Sequence, residues 1–196
     1  MNNARYIYIA PIETKHALWR ADLEAAVRST FGLPVRYCRL TIDLNRAFDQ
    51  TRQQYSSSQV LLQVVENLPD DAVKILGVTA VDLFIPVLTY VFGEAQLGGP
   101  GAVVSLHRLN SCYYGLPDNP SLLAERLVKE SIHELGHTFG LIHCSRPGCC
   151  LNASTYVEDI DQKSSEPCLQ CRERIRIMCS HPAATGIQVP GSTVRK

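Results

Sequence analysis

The chain has 196 residues, 45% of them hydrophobic, enough to bury one substantial core. Nineteen Lys plus Arg balance nineteen Asp plus Glu, so bulk charge points to neither nucleic acid nor an anionic membrane surface as a partner. No run approaches the roughly 20 apolar residues of a membrane span, and the first residues, MNNARYIYIAPIETKH, lack a basic start followed by an apolar stretch, so the expectation is a cytoplasmic monomer without a secretory leader or membrane contact.

Residues 5–12 are rich in Tyr and Ile and read as a strand closed by Pro11. Trp19, Leu23, Ala26, Val27 and Thr30 then recur at helical spacing, and Gly32 with Pro34 supplies a stop. Residues 35–44 read as a second strand. Leu61, Val64, Val65 and Leu68 mark a second helix ended by Pro69, and residues 73–78 form a largely apolar third strand of the kind buried on both faces. The order to this point is βαβαβ.

Two more strands, residues 90–95 and 102–109, flank LGGPG, a turn sequence suited to antiparallel neighbours. The fold class is therefore α/β (α+β), a mixed twisted sheet with one antiparallel edge strand plus helices. Asn119 is an N-cap with Pro120 at the first helical position, and a helix over about 120–139 places Val128, Ile132, Leu135 and Phe139 on one apolar stripe. Beyond Cys144 the composition shifts to Ser, Pro, Gly, Asn, Asp and Cys, so the chain is expected to be irregular as far as about residue 168.

The helix carries HELGHTFGLIH, residues 133–143. At about 3.6 residues per turn, His133 and His137 project from one side, and Gly140 supplies the left-handed turn that ends a helix and brings in His143. Three neutral imidazoles bind Zn²⁺ and leave a coordination position open, the mark of a catalytic centre and not of a closed structural one. Glu134, on the helix flank, is placed to take the proton of a water acidified by the cation. A bare HExxH arises by chance in many chains; this longer form fixes five of eleven positions on an independently read helix.

This zinc signature is that of the metzincin metallopeptidases, and the cysteines behind it make the sequence resemble the archaemetzincins. In that family the third His is followed by a Cys, a second Cys five positions on, a turn containing Met, and a CxxC. Here these elements stand as HCSRPGCCL, with Cys144 and Cys149, and CLQC, Cys168 to Cys171; the upstream ILGVTAVDLFIP and YVFGEAQLGG are also similar to the family. The resemblance covers most of the chain. It implies a metzincin-like zincin fold, a catalytic zinc at His133, His137 and His143 with Glu134 as general base and acid, and a second, structural zinc at Cys144, Cys149, Cys168 and Cys171.

Two zinc ions per chain and a peptide or protein substrate follow from that reading, as do an N-terminal subdomain over 1–143 and a small irregular zinc-stabilised subdomain over 144–196. Two close Cys pairs in a chain without a leader independently suit a tetrahedral Cys₄ zinc. Disulfides and reduced thiols are the alternatives, and Cys150 and Cys179 are alternative ligands. One departure from the family is Leu151, where the metzincin Met forms an apolar floor beneath the ligands; the spacing from there to the CxxC is also one residue shorter. Leu for Met nearly conserves volume and typically costs under about 1.5 kcal/mol.

By the same resemblance, strand 90–95 rims a cleft where an extended peptide adds as a further strand, although an ordinary sheet edge has the same pattern. His16, His107 and His181 lack ligand spacing and read as surface or structural histidines, and Glu130 as a solvated helix acid or an orienter of a ligand. The principal rival to a peptidase is a weakly active or inactive zinc-binding protein of the same fold that recognises peptides or a partner. Nucleic-acid binding through Arg172, Arg174 and Arg176 is disfavoured by the neutral charge and the lack of interleaved aromatics.

Overall fold

A computed structural model describes residues 5–14 and 18–180. His16 and His181 lie outside the described residues.

The expected βαβαβ order is present as β1 (Tyr6–Ile12), α1 (Arg20–Phe31), β2 (Val35–Tyr37), β3 (Phe48–Asp49), β4 (Gln54–Ser56), α2 (Ser57–Glu66) and β5 (Ala72–Thr79), with two short strands interposed. After β6 (Leu83–Phe84), the strands β7 (Gly93–Ala95) and β8 (Gly101–Ser105) complete a five-stranded sheet of order β2-β1-β5-β8-β7. All neighbours pair parallel except β7, which runs antiparallel to β8 at the edge, as the LGGPG turn predicts. A second sheet, β3-β4-β6, stands beside it.

The inner strands are apolar on both faces because both faces are covered. Ile7, Ile9, Leu76, Val78, Ala102 and Val104 share one core with Leu23, Val27 and Phe31 of α1 and with Leu127, Ile132 and Leu135 of α3 (Pro120–Thr138). Tyr8, Ala10, Ile75 and Val103 belong to the other, with Val60, Leu61 and Val64 of α2. Asn119 caps α3 through the Leu122 amide at 3.1 Å, with Pro120 next, as expected. Its apolar stripe is buried, yet so is most of its remaining surface from Ala124 to Thr138, because sheet, α1 and the segment after Cys144 enclose it.

The strands expected over 90–95 and 102–109 are shorter, Gly93–Ala95 and Gly101–Ser105, and two further stretches depart from expectation. The strand expected over 35–44 stops at Tyr37. Backbone groups of Ile7 and Ile9 face β2, bonding Pro34 and Cys38, so parity turns residue 11 the same way, and Pro11 has no N–H to continue the ladder. The chain expected to be irregular to about 168 contains α4 (Val157–Asp161), started by the Asp159 carboxylate, which accepts the Thr155 and Tyr156 amides at 2.8 Å each; α5 (Leu169–Ser180) follows. No helix of the described residues is long and apolar enough to cross a membrane.

α4 is fastened to α3 by charge. Arg126, 5% exposed, makes two bonds of 2.7 Å to Asp161 and donates to the Leu109 carbonyl at 2.8 Å. Lys163 pairs with Glu130 at 3.1 Å, both nearly inaccessible, so Glu130 is not the solvated acid its sequence position suggested. Truncating Arg126 strands a buried carbonyl and a carboxylate, so Arg126→Ala should cost about 2 kcal/mol; a urea midpoint unmoved by the substitution would show that the clamp contributes nothing.

Candidate active site

The end of α3 delivers the three imidazoles. Gly140, at φ 84°, takes the left-handed conformation; its amide donates to the His137 carbonyl at 2.8 Å, and the Leu141 amide donates to Gly136 at 3.1 Å, a Schellman closure. The same helix end meets the β7–β8 turn. Gly98 donates to the His137 carbonyl at 2.9 Å, and the buried Lys74 ammonium donates to the Gly99 and Thr138 carbonyls at 2.8 and 2.7 Å. Burial pushes Lys74 down to about 8.

Donor atoms of His133, His137 and His143 lie within 4.8 Å of one another. His133 Nδ1 meets the Cys150 carbonyl at 2.8 Å and His137 Nδ1 the Leu141 carbonyl at 2.6 Å. A carbonyl accepts only from a protonated nitrogen, so both rings turn an unprotonated Nε2 inward. These two nitrogens are 3.0 Å apart. Two lone pairs at that distance repel unless a cation lies between them, and Zn–N bonds of about 2.0–2.1 Å in tetrahedral array give an edge of about 3.3 Å. The donor set therefore fits zinc. Burial also lowers His137 and brings His133 down to about 3, so both rings are neutral across the physiological range.

Glu134 is 7% exposed and lies beneath the edge strand. A Cβ on Gly93 would stand 2.7 Å from Glu134 Cγ and 2.7 Å from the Val103 carbonyl oxygen, so β7 can pass this close only with glycine there. Burial, reinforced by the Glu130 and Glu94 carboxylates, raises Glu134 well above the usual carboxylate range. Glu94 is itself held by the Ser57 and Ser58 hydroxyls at the start of α2, which fastens β7 from its other side. Glycine inside a strand pattern is a sequence sign of close backbone approach and marks Gly93; no residue type marks the Cys150 and Leu141 carbonyls.

A cleft of about 380 Å³ opens over these residues, lined by 88–93 on one rim, 153–156 on the other, and Glu130, His133, Glu134 and His143 at its base. Below, Leu151 is fully buried, and a Cβ on Gly136 would come within 2.9 Å of its Cδ1, so helix and leucine meet face to face. His107 packs against Tyr113, away from the cluster.

A second cluster adjoins the first. The Sγ atoms of Cys144, Cys149, Cys168 and Cys171 lie within 4.8 Å of one another, with Cys144 and Cys168 3.9 Å apart. Zn–S bonds of about 2.3 Å give a tetrahedral edge of about 3.8 Å. The Arg146 and Cys168 amides donate to Cys144 and Cys149 Sγ at 3.4 Å each. Burial opposes ionisation of Cys168, yet hydrogen bonds from the Cys171 backbone and the neighbouring thiols bring it down to about 7; burial pushes Cys149 and Cys171 up. Cys150 is fully buried and Cys179 lies further along α5; neither joins the quartet.

The mixed sheet, its antiparallel edge and the helix bearing three convergent imidazoles beneath it define a metzincin-like zinc metallopeptidase. The model of peptidase family M54 matches residues 20–177. An archaemetzincin of Methanocaldococcus jannaschii is 40% identical over 130 residues, 66% of this chain and 70% of that protein. The crystal structure of an archaemetzincin from Methanopyrus kandleri superposes with a TM-score of 0.81 at 30% identity, over 91% of this chain and 97% of that one. A zinc-dependent peptidase from Methanocorpusculum labreanum gives 0.76 at 29% identity, over 87% and 100%. The chain belongs to peptidase family M54.

Because Gly93 sets how closely β7 approaches Glu134, Gly93→Ala should displace one or the other and lower turnover by about 10²-fold while zinc content is kept. Kinetics and metal analysis of the same preparation check this; unchanged turnover would show the approach to be incidental.

Proposed function

We propose that the cleft hydrolyses peptide bonds, with His133, His137 and His143 as ligands of a zinc ion and Glu134 as general base and then acid. The observation that carries the reading is the pair of unprotonated Nε2 atoms 3.0 Å apart beside a buried carboxylate. Zinc held there supplies Lewis acidity, polarising a carbonyl and lowering the pKa of water from about 15.7 towards 7.

The chain's own groups do the remainder. The Cys150 and Leu141 carbonyls keep Nδ1 protonated and Nε2 free, as carbonyl partners commonly do for ligating histidines. Among the described residues no strand pairs with the outer side of β7, the side on which an extended substrate would add by main-chain pairing and bring the scissile bond alongside Glu134. A carboxyl in so buried a place can accept a proton from water near neutral pH and return it to the leaving amine. Glu134→Gln should abolish measurable turnover with zinc content unchanged, read by peptide hydrolysis and metal analysis; activity equal to that of the unsubstituted protein would remove Glu134 from the mechanism.

We further infer a structural zinc at Cys144, Cys149, Cys168 and Cys171, and with it a small subdomain over 144–196, of which the structure describes residues as far as 180. Four thiols within 4.8 Å of one another, one pair of them at the edge length of a ZnS₄ tetrahedron and two receiving amide hydrogen bonds, support this. Native mass spectrometry should find two zinc ions per chain, and one in Cys149→Ser. Two ions in that variant would dissolve the quartet assignment.

A further inference from the structure

The cleft is crossed by a bar. The Tyr90 hydroxyl, on the rim that leads into β7, donates to the Thr155 carbonyl on the opposite rim at 2.8 Å. A strand laid between two rims needs about 4.8 Å to each neighbour, so no peptide backbone passes where these two atoms touch. On the other side of Glu134, β7 runs on through Glu94 and Ala95, and among the described residues no strand pairs with its outer edge.

Both ends of the bar are anchored. The Arg108 guanidinium stacks on the Tyr90 ring, 4.1 Å from its centroid, and on Tyr113 at 4.7 Å, and is held by Asp82 through bonds of 2.6 and 2.7 Å. The Phe92 ring meets Tyr90 edge-on at 5.5 Å. On the far rim, Thr155 and Tyr156 give their amides to Asp159 of α4, the helix that Arg126 clamps to α3. The bar is thus referred, through Asp82–Arg108 and Asp161–Arg126, to the frame that holds the imidazoles.

We propose that Tyr90 is a specificity-determining residue that closes the groove on one side of the reaction centre, so that the protein accepts peptides whose chain end lies within a few residues of the scissile bond. The proposal rests on the peptidase reading above and names its substrate class: chain termini, not the interior of long polypeptides. The free end occupies the pocket between Tyr90 and His133, and the rest of the substrate leaves along Ala95.

The test is binding of fluorescent peptides to the zinc-loaded Glu134→Gln protein by anisotropy, using a short mixed-sequence pool lengthened in steps at its N-terminus or at its C-terminus. With Tyr90 present, lengthening at one end should weaken binding at least tenfold while lengthening at the other is tolerated. Tyr90→Ala should erase the asymmetry. Tyr90→Phe, which keeps the ring and its Arg108 stack but loses the bond to Thr155, should reduce the penalty at least threefold and serves if the alanine variant does not fold. Equal tolerance at both ends, no binding of any peptide, or an asymmetry untouched by the variants would overturn the proposal. Failure of the peptidase reading is read separately, as absence of zinc-dependent cleavage by the protein with Glu134 intact.

Discussion

The arrangement of the site depends on one hydrogen bond in particular, from His133 Nδ1 to the Cys150 carbonyl. It settles the tautomer of a ring that burial already keeps neutral, and it comes from the chain beyond the helix. The helix alone brings His133 and His137 to one side but leaves each ring free to turn about its side-chain torsions. What orients them is backbone from elsewhere, Cys150 for one and Leu141 for the other, so the cluster exists only once the segment after Gly140 has folded back on α3.

That dependence explains why the two clusters are contiguous. His143 and Cys144 are neighbours in sequence; Cys144 donates its amide to the Leu151 carbonyl at 2.9 Å, Asn152 returns a side-chain bond to the Cys144 carbonyl, and Cys149 and Cys150 lie between. One short loop therefore carries the third imidazole, two of the four thiols, the orienting carbonyl and the apolar floor. Gathering the thiols tightens a loop that has little apolar surface of its own to hold it, and a fixed loop is what holds the rings.

The long periodic elements were legible before any coordinates. β1, α1, α2, β5 and α3 each repeat their pattern often enough to be read, and the convergence of three histidines followed from spacing and from Gly140. The parts that escaped are short or non-local. β3, β6 and α4, of two, two and five residues, hold too little of a period to register. Pro11 ended β2 from a neighbouring strand, not from within it. The burial of Glu130 is not legible in the sequence because its partner, Lys163, lies 33 residues away, so nothing nearby signals that a helix acid is buried and paired.

Leu151 shows how far side-chain identity matters at the floor of such a site. A floor must fill space against the helix at Gly136 and must offer no donor or acceptor to compete for the imidazoles; it need not touch the metal. Leu151 is fully buried in the main core, its methyl groups set against the one helical position that has no Cβ, and its backbone carbonyl already taken by Cys144. An unbranched thioether would fill the same volume with more freedom and a polarisable tip, whereas a branched aliphatic has better-defined rotamers and less ability to adapt. The substitution therefore exchanges plasticity beneath the rings for rigidity. The carbonyls of Cys150 and Leu141, being backbone, are the same with either side chain at 151.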